Sequence, residues 1–448
     1  MLSVKDAEAR AAGLVERAVQ AGADAADALY VGDASTSVNV RLGALESVDR
    51  SEGEEIGLRL FVGRRSASVS SSDLSDAALG ALVERAVAMA REAPEDPYAG
   101  LAPRDRLMQS HGVDVDGDDG ADPSPADLKT RALETEEAAR AVAGITNSEG
   151  AGASAGRSSI ALATSDGFAR GYSTSGYSGG ASVVAGSGGA MQRDYAQHSA
   201  RHLEDLDPAE ETGRLAGTRA VARLNPVRVP SGAMPVVFDP RVGGSLVGHL
   251  ISAINGAAIA RRTSFLLDRE GDRIFAEGIT IRDDPHRPRG LRSKPFDGEG
   301  LPTRASDLVA DGRLTGWLMD SATARQLGRE PTGHAARGVG GSPGVSATNV
   351  DLLPGRIGRD ALLADIKRGI YVTELIGQGV NPVTGDYSRG ASGFLIEDGA
   401  IGPAVAEITI AGNLVEMFAA LVPADDLEHR RAVNVPTLRI DGMTIAGA

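Results

Sequence analysis

The stretch G-G-S-L-V-G-H-L-I-S-A-I-N-G (243–256) places His249 on an apolar helix, the setting in which metallopeptidases present zinc ligands. A working helix of that kind also carries a second histidine and a glutamate base, and this segment has neither. His249 shares its stripe with Val242, Leu246 and Ala253, so the plainer reading is a core histidine with one nitrogen satisfied. Gly243, Gly244 and Gly248 each cost roughly 1 kcal/mol against alanine inside a helix, which implies a backbone that must come close or bend. His198 and His202 in H-S-A-R-H have the i, i+4 spacing of a ligand pair, but Ser199 stands where a base would be. If their segment is a strand, the two rings lie ~13 Å apart at ~3.3 Å per residue, too far to share an ion.

Three shorter patterns fail on context. G-x-S-x-G occurs at 152–156 and 176–180, yet both copies sit in Gly/Ser-rich alternating segments with no helix behind them, so neither makes a nucleophile elbow. The acidic run D-V-D-G-D-D (114–119) misses the calcium-loop register, because Asp119 falls where the turn glycine belongs and Pro125 where the bidentate glutamate belongs; it reads as a solvated loop. Gly338, Gly340 and Gly341 lack the strand-to-helix setting of a phosphate loop. The balance of 46 basic and 61 acidic residues leaves a net charge of −15, which repels phosphate backbones and argues against nucleic-acid binding. With no cysteine, the chain has no disulfide and no thiolate ligand, which fits a reducing compartment. Neither a signal-type opening nor a membrane-length apolar run is present, so the expected location is cytoplasmic.

Periodicity sets the elements that must position these residues. Ser3 and Asp6 cap a first helix that Gly22 stops, and alternating runs from Ala26 to Ser70 read as an antiparallel meander. A second helix follows Ser75, and a connector of little periodicity covers about 92–123. Ser124, Pro125 and Asp127 open a third helix to about Val142; strands fill 150–200, and D-P-A-E (207–210) starts a further helix. The 150–200 segment echoes 36–72 in texture without a register that makes a repeat. Beyond about Val227, P-V-V-F is a buried strand, Asp239 and Pro240 open the His249 helix at 240–256, and Asp360–Arg368 reads as a helix stopped by Gly369. Asp398-Gly399 marks a hairpin. The expected class is α+β: a helix-flanked antiparallel sheet domain over 1–226 and a mostly antiparallel β domain over 227–448.

Long segments carry a family resemblance: G-L-R-L-F-V-G-R-R-S-A-S-V-S-S-S-D-L-S, the Asp239 helix, I-K-R-G-I-Y-V-T-E-L-I-G-Q-G-V-N-P-V-T-G-D-Y-S-R-G-A-S-G-F and P-T-L-R-I-D-G-M-T-I-A-G. Over essentially its whole length the chain resembles the TldD/PmbA family of zinc metallopeptidase subunits, in particular its PmbA-like (TldE-like) branch. In the catalytic TldD branch the resemblance implies H-E-x-x-x-H on this helix, with a cysteine before the closing segment as third ligand. Histidines five apart differ by about 140° on an ideal helix, so that motif implies local distortion. Here it reads Gly244-Ser245-Leu246-Val247-Gly248-His249, with only the second histidine and its preceding glycine kept. The stretch that would hold the cysteine reads D-D-L-E-H-R-R-A-V-N-V.

The resemblance thus implies no catalytic and no metal-ligating residue in this chain, with Gly244, Ser245 and His249 as degenerate motif positions. It implies a TldD-like partner that holds the zinc, short or unfolded peptides as substrates, and a homodimer as a possible state of the isolated chain. Peptide-antibiotic maturation and antitoxin turnover are the family's processes. Two rival readings stay open: a stand-alone metallohydrolase built on His249, His334 or His429, and a regulatory protein-binding module of the gyrase-modulator type.

Overall fold

A computed structural model describes residues 1–110 and 112–447. In the first helix, α1 (Val4–Gln20), the Ser3 hydroxyl accepts from the Asp6 amide at 3.2 Å, and Ala7, Ala11, Leu14 and Ala18 are buried at helical spacing. Gly22, at φ 100°, turns the chain into the sheet. Strands β1 (Ala25–Arg41), β2 (Ala44–Val62) and β3 (Arg65–Ser71) form the meander, closed by α2 (Asp76–Glu92) with Ser75 as its cap. The separate alternating runs fuse into long strands because the polar residues between them pair with each other: Gly32 lies opposite Glu54 and Ser35 opposite Ser51. Their ladder is complete, so a polar interval does not end a strand in a solvent-exposed hairpin.

The connector holds one short 3₁₀ turn (Arg104–Arg106), after which the pattern recurs: α3 (Pro125–Arg140), β4 (Ile145–Thr164), β5 (Ala169–Ala185), β6 (Gln192–Ala200) and α4 (Ala209–Ala222). The sheet order is β3-β2-β1-β4-β5-β6, with β1 and β4 antiparallel at its centre. The segment is therefore a topological repeat of helix, three strands and helix, a relation the sequence texture only hinted at. Glycine, serine and alanine in β4 and β5 stand where β1 and β2 carry larger side chains, which hides the register. Odd-numbered alanines of β4 pack under all four helices, Ala151, Ala153 and Ala155 against one pair and Ala161 and Ala163 against the other. At one end, the opposite face is covered by Leu107, Met108, Phe296 and Leu301.

The strands from residue 232 onward build a closed ring. β7 (Gly232–Phe238) pairs in parallel with β8 (Arg368–Ile376); β8 pairs with β9 (Asp386–Glu397), and β9 with β10 (Ala400–Asn413). β11 (Leu438–Ala446) pairs with both β7 and β10 and so closes the barrel. Asp398 and Gly399 both take positive φ at the β9–β10 turn, as the hairpin signal requires. A second sheet of short strands flanks the ring, including 281–283, 350–352 and 433–434. The expected helix at Asp360–Arg368 covers only Arg359–Leu363, and Arg368 and Gly369 belong to β8. A Cβ at Gly369 would stand 2.8 Å from the Pro235 carbonyl, so this glycine serves close strand approach and not a helix stop. The architecture is α+β, and no helix of the described residues is long and apolar enough to cross a membrane.

Candidate functional site

The residues 240–256 fold as α5 (Pro240–Ala253), after which Asn255 caps a separate short helix, Gly256–Ala260. Asp239 fixes the start of α5 on the barrel: its carboxylate accepts from the Arg241 amide and from the Tyr371 hydroxyl of β8, both at 2.9 Å. Gly243 is buried, and a Cβ there would meet Val435 at 3.0 Å and Leu438 at 3.2 Å, so close approach explains this glycine. Gly244 is roomier, 3.4 Å from the Val433 carbonyl, and Gly248 has nothing within 4 Å. Packing gives no account of Gly248.

The Ser245 hydroxyl donates back to the Val242 carbonyl at 2.7 Å. His249 Nε2 is buried with no hydrogen-bond partner, and its ring meets Tyr387 edge to face at 6.0 Å. Nε2 is thus the ring nitrogen left unsatisfied, and the aromatic contact seats the ring. Burial, and after it the charge of Arg389, hold the imidazole below its usual pKa, so it is neutral at pH 7. The buried Tyr387 hydroxyl faces Arg389 without a well-formed hydrogen bond, and burial raises its pKa to about 12.

Gly244 and Ser245 line a cavity of about 530 Å³ bounded by β6, the end of α4, β8, β9 and residues 431–433. Six arginines face it (Arg193, Arg223, Arg241, Arg292, Arg389 and Arg431) against two carboxylates, Asp194 and Glu374. Arg241 clamps Asp194 bidentately at 2.8 and 3.0 Å, and Arg223 lies 3.5 Å from the same carboxylate. Burial pushes the Asp194 carboxyl up, but Arg241 overrides it and holds the net pKa below the usual range. Arg223 also pairs with Glu374, from which Arg193 stands 3.9 Å away. Arg431 donates to the Arg241 carbonyl at 2.8 Å. Sequence reasoning missed these arginines, which come from six separate segments with no local pattern joining them.

The set does not fit a zinc ion. Among the described residues no three of His, Asp and Glu converge in ligating geometry, and the one motif histidine stands beside a guanidinium that repels a dication. The other candidate histidines, His198, His202, His334 and His429, are held elsewhere. His198 Nδ1 accepts from the Asp207 amide at 3.1 Å, whereas His202 Nε2 lies 3.0 Å from the Asp116 carbonyl, so the H-S-A-R-H pair is split between partners, His198 within β6 and His202 just past its end. His334 bridges Thr332 and the buried Asp283, at 2.9 and 3.1 Å, and His429 lies 3.3 Å from Asp351.

The weaker motifs acquire structural roles. Both G-x-S-x-G copies lie mid-strand, and their serines, Ser154 and Ser178, hydrogen-bond each other at 2.8 Å. The acidic run is a strap and not a solvated loop: Asp116 pairs with Arg289, Asp118 with Arg157, and Asp119 accepts from Tyr177 and the Leu203 amide. The 338–341 glycines follow Arg337, which pairs with Asp27 of β1, and their loop lies on β2, where a Cβ at Gly57 would overlap the Val339 carbonyl at 1.7 Å.

Comparison with known proteins gives the class of this barrel, with its capped helix over a cavity and its helix-covered sheet, as that of the PmbA/TldA metallopeptidases. The chain matches three family descriptions in succession: PmbA/TldA metallopeptidase domain 1 over 26–90, the central domain over 118–224 and the C-terminal domain over 231–447. It is 37% identical to Metalloprotease PmbA of Escherichia coli O157:H7 over 92% of this chain and 90% of that protein. Identity to the Metalloprotease PmbA homolog of Haemophilus influenzae is 35%, over 97% of this chain and 94% of the relative. The crystal structure of a Bacteroides thetaiotaomicron protein described as a candidate modulator of DNA gyrase superposes with a TM-score of 0.91 at 26% identity, covering both chains completely. TldE from Thermococcus kodakarensis shares the fold, with a TM-score of 0.87 at 21% identity over 99% of this chain and all of that one. The chain belongs to the PmbA/TldD metallopeptidase family.

Proposed function

We propose that this chain is a non-catalytic, PmbA/TldE-like subunit that pairs with a TldD-like zinc peptidase and helps to enclose short or unfolded peptides. The observation that carries the reading is the site beneath α5, where glycine, serine and arginine stand in place of zinc ligands and a base. Water attack on a peptide bond needs an ion or a base at that point, and Ser245 returns its hydroxyl to the helix backbone. The peptide-handling part rests on the sheet, whose terminal strands are β3 and β6. A strand edge offers backbone hydrogen bonds to any extended chain and none to a folded one. A cytoplasmic location accompanies this reading, supported by the absence of cysteine.

Co-expression with a TldD-like chain, followed by size determination and a zinc count, tests the assignment. The expected result is a complex of both chains whose zinc resides in the partner and which cleaves an unfolded peptide in a chelator-sensitive way. Robust zinc-dependent cleavage by the purified single chain would overturn it. The stand-alone hydrolase reading finds no support at His334 or His429, which are tied to separate carboxylates.

A further inference from the structure

The cavity beneath α5 concentrates positive charge in a chain of net charge −15. Three of its arginines are committed to carboxylates: Arg241 and Arg223 in the Arg241–Asp194–Arg223–Glu374 chain, and Arg193 between Glu374 and Glu149. Arg292, Arg389 and Arg431 have no carboxylate partner among the described residues, and they reach the cavity from the 291–293 loop, from β9 and from the 430s. Like charges gathered in one cavity repel and destabilise a fold unless something neutralises them. A second feature points the same way: Thr373 is 6% exposed, lines the cavity and leaves its hydroxyl without a partner. A buried unpaired hydroxyl beside guanidiniums without a carboxylate is a donor set awaiting an acceptor-only ligand.

The shape extends the argument. Arg193 and Tyr195 of β6 also border a neighbouring trough of about 600 Å³ on the sheet, whose floor is small residues such as Gly152, Ser154, Ser178 and Gly180. Side chains that small leave an extended peptide room to lie against the sheet and run toward the arginines. Guanidinium forks match carboxylate geometry bidentately. We propose that the cavity lined by Arg292, Arg389 and Arg431 binds a carboxylate of an extended peptide, either the chain end or an acidic side chain, so that the relict zinc position has become an anion anchor. This rests on the peptide-handling role given above.

Fluorescence anisotropy on the full-length chain tests it with four versions of one labelled unfolded peptide: free or amidated at the C-terminus, each with aspartate or asparagine near that end. The expected result is about a tenfold or greater preference for a version bearing a carboxylate, lost in Arg389→Gln and Arg431→Gln. The free-acid asparagine and amidated aspartate peptides tell chain end from side chain. Arg292→Gln, at an exposed residue with no side-chain bond, is expected to weaken the preference while leaving the melting temperature unchanged, so a folding defect does not imitate the effect. Equal affinity for all four peptides overturns the proposal, as does binding of inorganic phosphate by a chain that binds none of the peptides. Absence of any carboxylate preference in the wild-type chain, with cleavage by the two-chain complex intact, refutes the anchor alone. A preference that persists where no complex forms refutes the subunit reading alone.

Discussion

At the scale of the residue, the relict helix is defined by what its polar atoms lack. His249 Nε2 and the Tyr387 hydroxyl are buried and unpaired, an arrangement that costs stability unless a ligand uses it. If the imidazole has no metal role, an apolar group of similar size is the better occupant. His249→Leu is expected to stabilise the chain by about 1 kcal/mol in chemical denaturation at pH 8. The gain should grow toward pH 5. Burial and Arg389 depress the folded pKa below its usual 6.5, so titration adds no penalty above that pH, and as pH falls the unfolded chain takes up the proton first and the wild-type fold loses further stability. Stabilisation of the wild-type chain by added zinc that His249→Leu abolishes would show that the ring is a ligand.

At the scale of the element, small residues set how closely the layers approach. α3 and α4 touch through Gly213 and Gly217, and a Cβ at Gly213 would stand 2.1 Å from the Thr135 carbonyl. Gly213→Ala therefore pushes α4 away from α3 and should destabilise the protein by about 2 kcal/mol despite the better helix propensity of alanine. Thermal denaturation checks the sign, since propensity alone predicts a gain. The movement has a second readout, because Arg223 at the end of α4 holds Asp194 and Glu374 at the arginine cavity. Peptide binding should weaken in the same variant.

At the scale of the whole molecule, buried charge joins the two halves. Asp27 of β1 pairs with Arg59 of β2 and with Arg337 from the far side of the chain, and Glu299 accepts from the Ser321 amide and hydroxyl at 2.8 and 2.6 Å. Burial, then the nearby Asp297, raises the Glu299 pKa from 4.5 to about 7. An acid whose folded pKa is raised supports the fold fully below its unfolded pKa, and that support is lost as pH rises toward 7. Glu299→Gln keeps the acceptor and removes the charge. Its melting temperature should exceed the wild type's by about 2 °C at pH 8, with the difference vanishing near pH 4. A pH-independent difference would mean that hydrogen bonding and not charge governs this junction.

Much of this molecule was legible in order along the chain. Caps at Ser3, Ser75, Ser124 and Asp239, alternation in the strands and the Asp398-Gly399 turn are local effects, each decided within a few residues, and the missing glutamate and first histidine are plain at Ser245 and Gly244. The folding of one motif into two halves about the β1–β4 seam was hidden, because backbone pairing and not side-chain identity carries it. The short helix before Gly369 was misread for a related reason, since the demand of β7 for a close neighbour outweighs local helical spacing. The gathering of Arg193, Arg223, Arg241, Arg292, Arg389 and Arg431 around one cavity was decided by tertiary structure alone. Charges act through space, and residues more than 200 positions apart in the chain come to share one electrostatic field only when the barrel closes against the sheet.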